Sequence, residues 1–250
     1  MKLAGNTVLI TGGASGIGLA IAQRFLQAGS TVLVCGRRED KLQEAQQQHP
    51  QLHTRVCDVA RESDRIDLVH WATQNFPHLN VLVNNAGIQR RVNPVETQEP
   101  WTETQQELAI NLEAPIHLCM LFAEHLKQQQ KAAIINVTSG LAFTPAAFAP
   151  IYCATKAALH SFTVSLRFLL SKTNVEVLEI VPPAVNTDLG GVGLHNFGEP
   201  LDAFADSVMQ RLDQGELEVG YASSEERRLA SRQENDAFSE HMNQRMFGGS

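Results

Sequence analysis

The sequence predicts an α/β fold: one domain spanning residues 1–250, built on a doubly wound parallel sheet of six to seven strands with helices on both faces. Two observations predict it. Short β-branched runs alternate with longer segments of helical pattern, the order that right-handed βαβ units require. Several of the short runs are almost continuously apolar, as expected of strands covered on both faces.

The elements follow in order. TVLIT (7–11) leads into a helix over 16–28, TVLVC (31–35) into 38–48, and TRVCDV (54–59) into 61–75. NVLVNN (80–85) precedes a long helical stretch at 100–128, and AAIINVT (132–138) precedes another at 152–171. VEVLEIVP (175–182) is the sixth strand. After it, PAVNTDLGGVGLHNFGEPLD is punctuated by Gly and Pro and reads as a substrate loop at about 187–201, longer than a plain connection. LEVGYA (217–222) stands where a closing strand would be. Ser223 and Glu226 fit a capping box, which predicts a C-terminal helix at about 224–244 and a frayed FGGS end.

Composition narrows the function classes. An apolar fraction of 43% supports a full core. A net charge of −7 argues against a nucleic-acid partner or an anionic membrane surface, both of which favour a basic face. No apolar stretch approaches the ~18 residues of a membrane span, and MKLAGNTVLITGG has no signal-peptide pattern. The expected location is cytoplasmic. Cys35, Cys57, Cys119 and Cys153 are far apart and read as buried thiols in a reducing compartment. His49 and His53 are separated by Pro50, and no metal spacing is evident, so no metal is expected.

The first strand runs directly into TGGASGIG. Gly12, Gly16 and Gly18 stand at a strand-to-helix turn, where glycines let the backbone approach a pyrophosphate and the helix N-terminus favours its charge. The spacing is G-x-x-x-G-x-G, not the standard G-x-G-x-x-G, but its place in the first βαβ unit points to a Rossmann-type dinucleotide site. At the end of the second strand, VLVCGRRED puts Gly36 where an NAD enzyme usually has an acid, with Arg37 and Arg38 following. A guanidinium suits a 2′-phosphate, so NADP is favoured and NAD remains possible.

Tyr152 and Lys156, in PIYCATKAAL, are four residues apart, which puts both on one face of a helix. Alone, the pair is equally a core tyrosine beside a surface lysine. In company it is specific. TGGASGIG, CDV with Asp58, NNAG at 84–87, Asn111 in INLEAP, Ser139 in INVTSG and Tyr152-x-x-x-Lys156 resemble, in order, the motifs of the short-chain dehydrogenase/reductase family. The resemblance covers residues 5 to about 190. It implies a catalytic set of Asn111, Ser139, Tyr152 and Lys156. It also implies a cofactor site of Gly12, Ser15, Gly16, Ile17, Gly18, Arg37, Asp58, Val59, Asn85, Ala86, Gly87, Tyr152, Lys156, Pro182, Val185 and Thr187. Asp58 would contact adenine, and Asn85–Gly87 would line the cofactor.

The chemistry fits that implication. Carbonyl reduction needs a hydride donor and a proton donor at the oxygen. A tyrosine has an ordinary pKa near 10; a lysine ammonium one turn away, together with the positive nicotinamide ring of the oxidised complex, favours its phenolate and lowers that value. Tyr152 would be the acid–base group, Lys156 would tune it and hold the ribose, Ser139 would orient the substrate oxygen, and Asn111 would position a relay water. The partner is then a small-molecule carbonyl or alcohol. Two departures stand out: Pro182-Pro183 where the family shows Pro-Gly, and the absence of the family's closing segment. IVPPAVNTDL and GELEVGYASSEERR are similar to the branch associated with lipoteichoic-acid D-alanylation operons, without implying that substrate. The alternative is a non-catalytic NADP(H)-binding redox-sensing regulator, which loss of Tyr152 or Lys156 would have favoured. A sugar-nucleotide epimerase would need a longer C-terminal region.

Arg90 or Arg91 could meet an anionic substrate at the pocket mouth, and Leu141, Phe143, Phe148, Leu194 and Phe197 could supply apolar walls. The helix at 100–128 carries Leu108, Leu112, Ile116, Leu118 and Phe122, and that at 152–171 carries Ala157, Leu159, Phe162, Leu166 and Leu170. Both exceed one core-facing stripe. The family pairs these helices across a two-fold axis, so a homodimer is expected. A tail covering the sheet edge, held by Leu229, Phe238 and Met242, would disfavour a tetramer.

Overall fold

A parallel seven-stranded sheet in the order β3-β2-β1-β4-β5-β6-β7 organises the computed structural model, which describes residues 1–96, 98–191 and 197–247. The strands are β1 (Thr7–Thr11), β2 (Thr31–Gly36), β3 (His53–Val56), β4 (Val81–Asn84), β5 (Ala132–Val137), β6 (Val175–Val181) and β7 (Glu218–Gly220). The six expected strands are present, and the closing strand lies within LEVGYA. Every residue of β4 and β5 is buried, which accounts for their largely apolar character. The exceptions, Asn84 and Asn136, pair with each other, Asn84 Nδ2 donating to Asn136 Oδ1 at 2.9 Å.

Helices cover both faces. On one side, Ile21 and Phe25 of α1 (Gly16–Gln27) pack with Phe204, Val208 and Leu212 of α7 (Leu201–Asp213) in one core cluster. α2 (Glu39–Gln48) follows β2 and adds Leu42 and Ala45 to that cluster. On the other side, Leu68 of α3 (Glu62–Asn75) packs with Leu118 and Phe122 of α5 (Ala114–Lys127). The strand order reverses between β1 and its two neighbours β2 and β4, which opens a crevice at the carboxyl ends of those strands.

Three expectations about helices need correction. The stretch 100–128 is not one continuous α-helix: α4 (Trp101–Leu108) passes through a π-helical segment, Ala109–Glu113, before α5. Pro115 at the start of α5 explains the change, because it has no N–H to give the Asn111 carbonyl and its ring crowds that group. The run after β6 also contains α7. Leu201, Phe204, Ala205, Val208, Met209 and Leu212 recur at helical spacing, a signal that the neighbouring glycines and prolines obscured. Finally, the C-terminal helix is two helices, α8 (Ser223–Leu229) and α9 (Arg232–Phe247). The chain turns extended at Ala230.

The capping box falls on the second of these. Ser231 N donates to Glu234 Oε2 at 2.8 Å, and Glu234 N donates to Ser231 Oγ at 3.3 Å. At α8 the first residue outside the helix is Ala222, with φ 47°, and it makes no side-chain cap. The remaining long helix, α6, spans Pro150–Leu169 and so begins two residues earlier than expected. No helix among the described residues is long and apolar enough to cross a membrane. All four cysteines are free and buried.

Candidate active site

The carboxyl ends of β1, β2, β4, β5 and β6 open onto one cavity of about 1050 Å³. It begins at the turn after β1. Gly12 and Gly16 have φ of 65° and 54°, the left-handed region that favours glycine. Gly18 is required for another reason: a Cβ built there would lie 2.4 Å from Asn85 Nδ2 and from the Gly12 carbonyl oxygen. Asn85 Nδ2 donates to the carbonyls of Thr11 and Gly12, at 2.9 and 3.2 Å. Thr11 Oγ1 accepts from the backbone N–H groups of Asn85 and Ala86, both at 3.0 Å. The glycine turn and the end of β4 are thus joined into one floor.

Gly12, Ser15, Gly16, Ile17, Gly18, Arg37, Val59, Asn85, Ala86, Gly87, Pro182, Val185 and Thr187 line the cavity. Arg37 is exposed at the mouth, beside Arg38 and Lys41. Arg38 Nη2 donates to Ser15 Oγ at 3.2 Å. Asp58 lies between the lining residues Cys57 and Val59, and its Oδ1 accepts from Ala60 N at 3.1 Å.

β5 delivers Ser139 and α6 delivers Tyr152 and Lys156, all buried and all lining the cavity. Lys156 Nζ lies 5.6 Å from the Tyr152 ring centroid and donates to the Val137 carbonyl at 2.8 Å. Ser139 Oγ accepts from Leu141 N at 3.1 Å, which orients the hydroxyl. Pro182 is tied in through its carbonyl, which accepts from Gly140 N at 2.9 Å. That backbone role needs no N–H and is compatible with Pro183 in the next position.

Asn111 is placed beneath the site instead of in its wall. It lies in the π-helical segment, is buried, and does not line the cavity. Its Oδ1 accepts from Ile88 N at 2.9 Å and its Nδ2 donates to the Ile88 carbonyl at 2.8 Å. A Cβ built on Gly87 would lie 3.4 Å from Asn111 Oδ1 and 3.7 Å from Lys156 Nζ. Asn111 therefore pins the chain beyond β4 directly under Gly87.

The protein's own groups leave the Tyr152 phenol raised, and the expected contribution of the nicotinamide charge is separate from theirs. Burial pushes it well above 10, the neighbouring Ser139 opposes that rise, and the negative field of Glu107 adds to it. Burial also lowers Lys156 to about 8, against the field of Glu179. Both side chains are desolvated, which disfavours their charged forms.

At its other end the cavity meets the C-terminal helices. Ser223, Ser224, Arg227, Phe238, Met242 and Met246 line it, a contribution the polar tail sequence did not reveal. Ser224 Oγ donates to the Val181 carbonyl at 2.6 Å, which fixes α8 on the sheet. Leu229 is exposed and is not an anchor. Arg90, Arg91, Leu141, Phe148 and Phe197 line the cavity as expected. Phe143 instead packs edge-on against His160, with centroids 4.7 Å apart. Leu194 lies outside the described residues.

A glycine turn at the strand reversal, with a buried Tyr–Lys pair and a serine across from it, marks a particular class, and comparison agrees. The chain belongs to the short-chain dehydrogenase family, whose model matches residues 6–192. It is 46% identical over 248 residues to the uncharacterized oxidoreductase DltE of Bacillus subtilis (strain 168), covering 97% of this chain and 98% of that protein. That relative agrees with the resemblance to the D-alanylation-operon branch. A metagenomic short-chain oxidoreductase solved in complex with NADP is similar at a TM-score of 0.74 and 27% identity, over 87% of this chain and 96% of that one. A short chain dehydrogenase from Burkholderia cenocepacia J2315, also in complex with NADP, shares the fold at a TM-score of 0.80 with 24% identity, over 97% of this chain and 99% of that one.

Proposed function

We propose that this protein is an NADP(H)-dependent oxidoreductase that interconverts a carbonyl and an alcohol, with residues 1–250 acting as one domain. The carrying observation is that Ser139, Tyr152 and Lys156 meet the glycine turn of β1–α1 in a single cavity. The residues present fit the cofactor. Left-handed Gly12 and Gly16 form a cradle at the start of α1, where backbone N–H groups and the helix dipole favour a pyrophosphate. A Cβ built on Gly36 would meet nothing within 4 Å, so no side chain fills the place of the usual acid. Arg37, Arg38 and Lys41 at the same mouth favour a 2′-phosphate.

When bound, the cofactor supplies or accepts the hydride. The chain's own residues handle the proton. A phenol kept neutral by burial is in the form that can donate to a developing alkoxide, so Tyr152 is assigned as the acid in reduction and the base in oxidation. Ser139 hydrogen-bonds the substrate oxygen, and Lys156, held by the Val137 carbonyl, supplies positive charge beside the phenol. Asn111 acts by holding Ile88 and the floor under Gly87. The functional unit is proposed to be a homodimer.

The test is titration of NADPH and NADH at fixed ionic strength, followed by a panel of aldehydes, ketones and 3-oxo acids read by NADPH absorbance. Tighter binding of NADPH and turnover of a carbonyl are expected. Equal or tighter NADH binding would overturn the cofactor assignment.

A further inference from the structure

We propose that the substrate of this site is a carboxylate-bearing carbonyl compound with an apolar body, and that Arg227 is the residue that takes its carboxylate. The inference rests on the oxidoreductase reading above and adds the substrate class.

Away from the glycine turn, the cavity is walled by Leu141, Phe148, Phe197, Phe238 and Met242. Those walls suit a hydrocarbon body. Three guanidinium groups also reach this region: Arg90, Arg91 and Arg227. Arg90 is already engaged, with Nη2 at 2.6 Å from Glu99 Oε2 and 3.7 Å from Glu103 Oε2. Arg91 is exposed and lies over the Phe148 ring, 4.9 Å from its centroid.

Arg227 differs from both. Its side chain is 20% exposed, and its guanidinium carbon stacks 4.2 Å from the Phe238 centroid. Its Nε is buried and has no hydrogen-bond partner among the described residues. Among the described residues Nη2 donates to Glu226 Oε2, at a long 3.4 Å, and that carboxylate is 71% exposed. The Glu234 carboxylate also feels the Arg227 charge. A buried N–H without an acceptor costs free energy, and this one stands on a residue that lines the cavity.

The position of Arg227 is well determined. One turn earlier on α8, Ser224 packs so closely on Gly140 that a Cβ built there would lie 3.1 Å from the Ser224 Cβ. Gly140 directly follows Ser139, so α8 is docked beside the residue assigned to the substrate oxygen. From α9, Asn235 Nδ2 donates to the Arg227 carbonyl at 2.9 Å. Stacking fixes the guanidinium plane, and a fixed fork matches a planar carboxylate through two parallel bonds. A phosphate would call on more than one cation; of the other two, Arg90 is committed to its carboxylates and Arg91 lies over Phe148.

The test uses the full chain saturated with NADP and three non-reacting probes: octanoate, octan-1-ol and octyl phosphate, measured by calorimetry. NADPH affinity is measured in parallel by fluorescence. Octanoate should bind at least about tenfold tighter than octanol, the scale of a charge-assisted pair. Arg227→Ala should abolish that difference while leaving octanol and NADPH binding unchanged, and Arg90→Ala should preserve it. Arg227→Lys keeps the charge and loses the fork. It should weaken octanoate alone, and it carries the test if the alanine variant unfolds. Equal binding of octanoate and octanol, no binding of either, or no effect at Arg227 would overturn the assignment. Arg227-dependent binding of octyl phosphate tighter than octanoate would overturn the carboxylate in favour of a phosphate. If NADPH fails to bind but octanoate still depends on Arg227, the anchor stands and the cofactor reading falls. The converse result separates them the other way.

Discussion

At the scale of single residues, Tyr152 and Lys156 act in different ways and should fail in different ways. Tyr152→Phe keeps the buried ring but removes the proton donor. Turnover of the best carbonyl should fall by about 10²–10⁴-fold, with NADPH affinity nearly unchanged. A variant retaining more than about a tenth of the wild-type rate would refute the role. Lys156→Ala should damage both turnover and cofactor binding, since its Nζ lies beside both the Tyr152 ring and Gly87. Gly36 makes a separate prediction. A side chain there meets open space, so Gly36→Asp should fold normally and repel a 2′-phosphate. Preference should move from NADP toward NAD by roughly 2 kcal/mol, the scale of a charged hydrogen bond. Cofactor titrations of variant and wild type check it, and an unchanged ratio would remove Arg37 and its neighbours from the 2′-phosphate site.

At the scale of elements, β5, β6 and α6 are joined behind the site by a buried polar cluster. Glu179 of β6 is fully buried, accepts from Thr138 Oγ1 at 2.6 Å, and pairs with His160 Nδ1 of α6 at 3.0 Å. Glu218 of β7 faces the same point, and Arg167 of α6 and Arg228 of α8 lie 3.7 and 3.8 Å from its carboxylate. Those arginines offset the charge a cation would otherwise find there. The Glu179 pairing raises the His160 pKa above 6.5, and burial opposes that rise. A histidine raised in the folded state stabilises fully below its unfolded value and loses that contribution as pH rises through the folded value. The Tm gap between wild type and His160→Gln should therefore be widest near pH 6 and shrink toward alkaline pH. A gap independent of pH would show that His160 contributes packing alone. The Ser231–Glu234 box makes a similar local claim for α9. Ser231→Ala should speed amide exchange at the start of α9 while leaving α6 unchanged.

For the whole molecule, the outer surface of the α5–α6 side carries Met120, Val164 and Phe168, with exposures of 68%, 46% and 80%. Of the apolar residues named from sequence on these helices, Leu118, Phe122 and Leu159 are buried in the chain's own core. Of the others, Ala157 is exposed and Leu108, Leu112, Ile116, Phe162, Leu166 and Leu170 are half-buried, so the outward apolar surface joins part of the expected set to Met120, Val164 and Phe168. It is the face proposed to pair in a homodimer. At the other end of the sheet, β7 is poorly suited to pairing with another copy. Gly220 N donates to Glu225 Oε2 at 2.8 Å, and its carbonyl accepts from Arg211 Nη1 at 3.0 Å. Light scattering at micromolar concentration should give a dimer mass. A monomer would rule out the helix pair, and a tetramer would rule out the blocked edge. Phe168→Asp should shift the mass toward monomer without changing NADPH affinity.

The chain's local pattern was enough to determine the strand–helix alternation, the glycine turn after β1 and the Tyr152–Lys156 spacing. Each depends on residues close together in sequence, where periodicity and turn chemistry are readable. The capping box at Ser231 and the helical spacing of α7 are equally local, although a run of glycines and prolines directly precedes α7 and a second Ser-x-x-Glu, at Ser223, precedes Ser231. Other features could be decided only by tertiary structure. Whether Asn111 lines the cavity or holds its floor depends on the π-helical widening at Pro115 and on Ile88, which comes from another element. Whether Tyr152 is lowered by Lys156 or raised by burial depends on how much protein surrounds both. That Arg227 and Met242 belong to the site at all depends on two helices folding back more than eighty residues after Ser139. Desolvation and long-range packing are sums over the whole fold, and no window of sequence contains them.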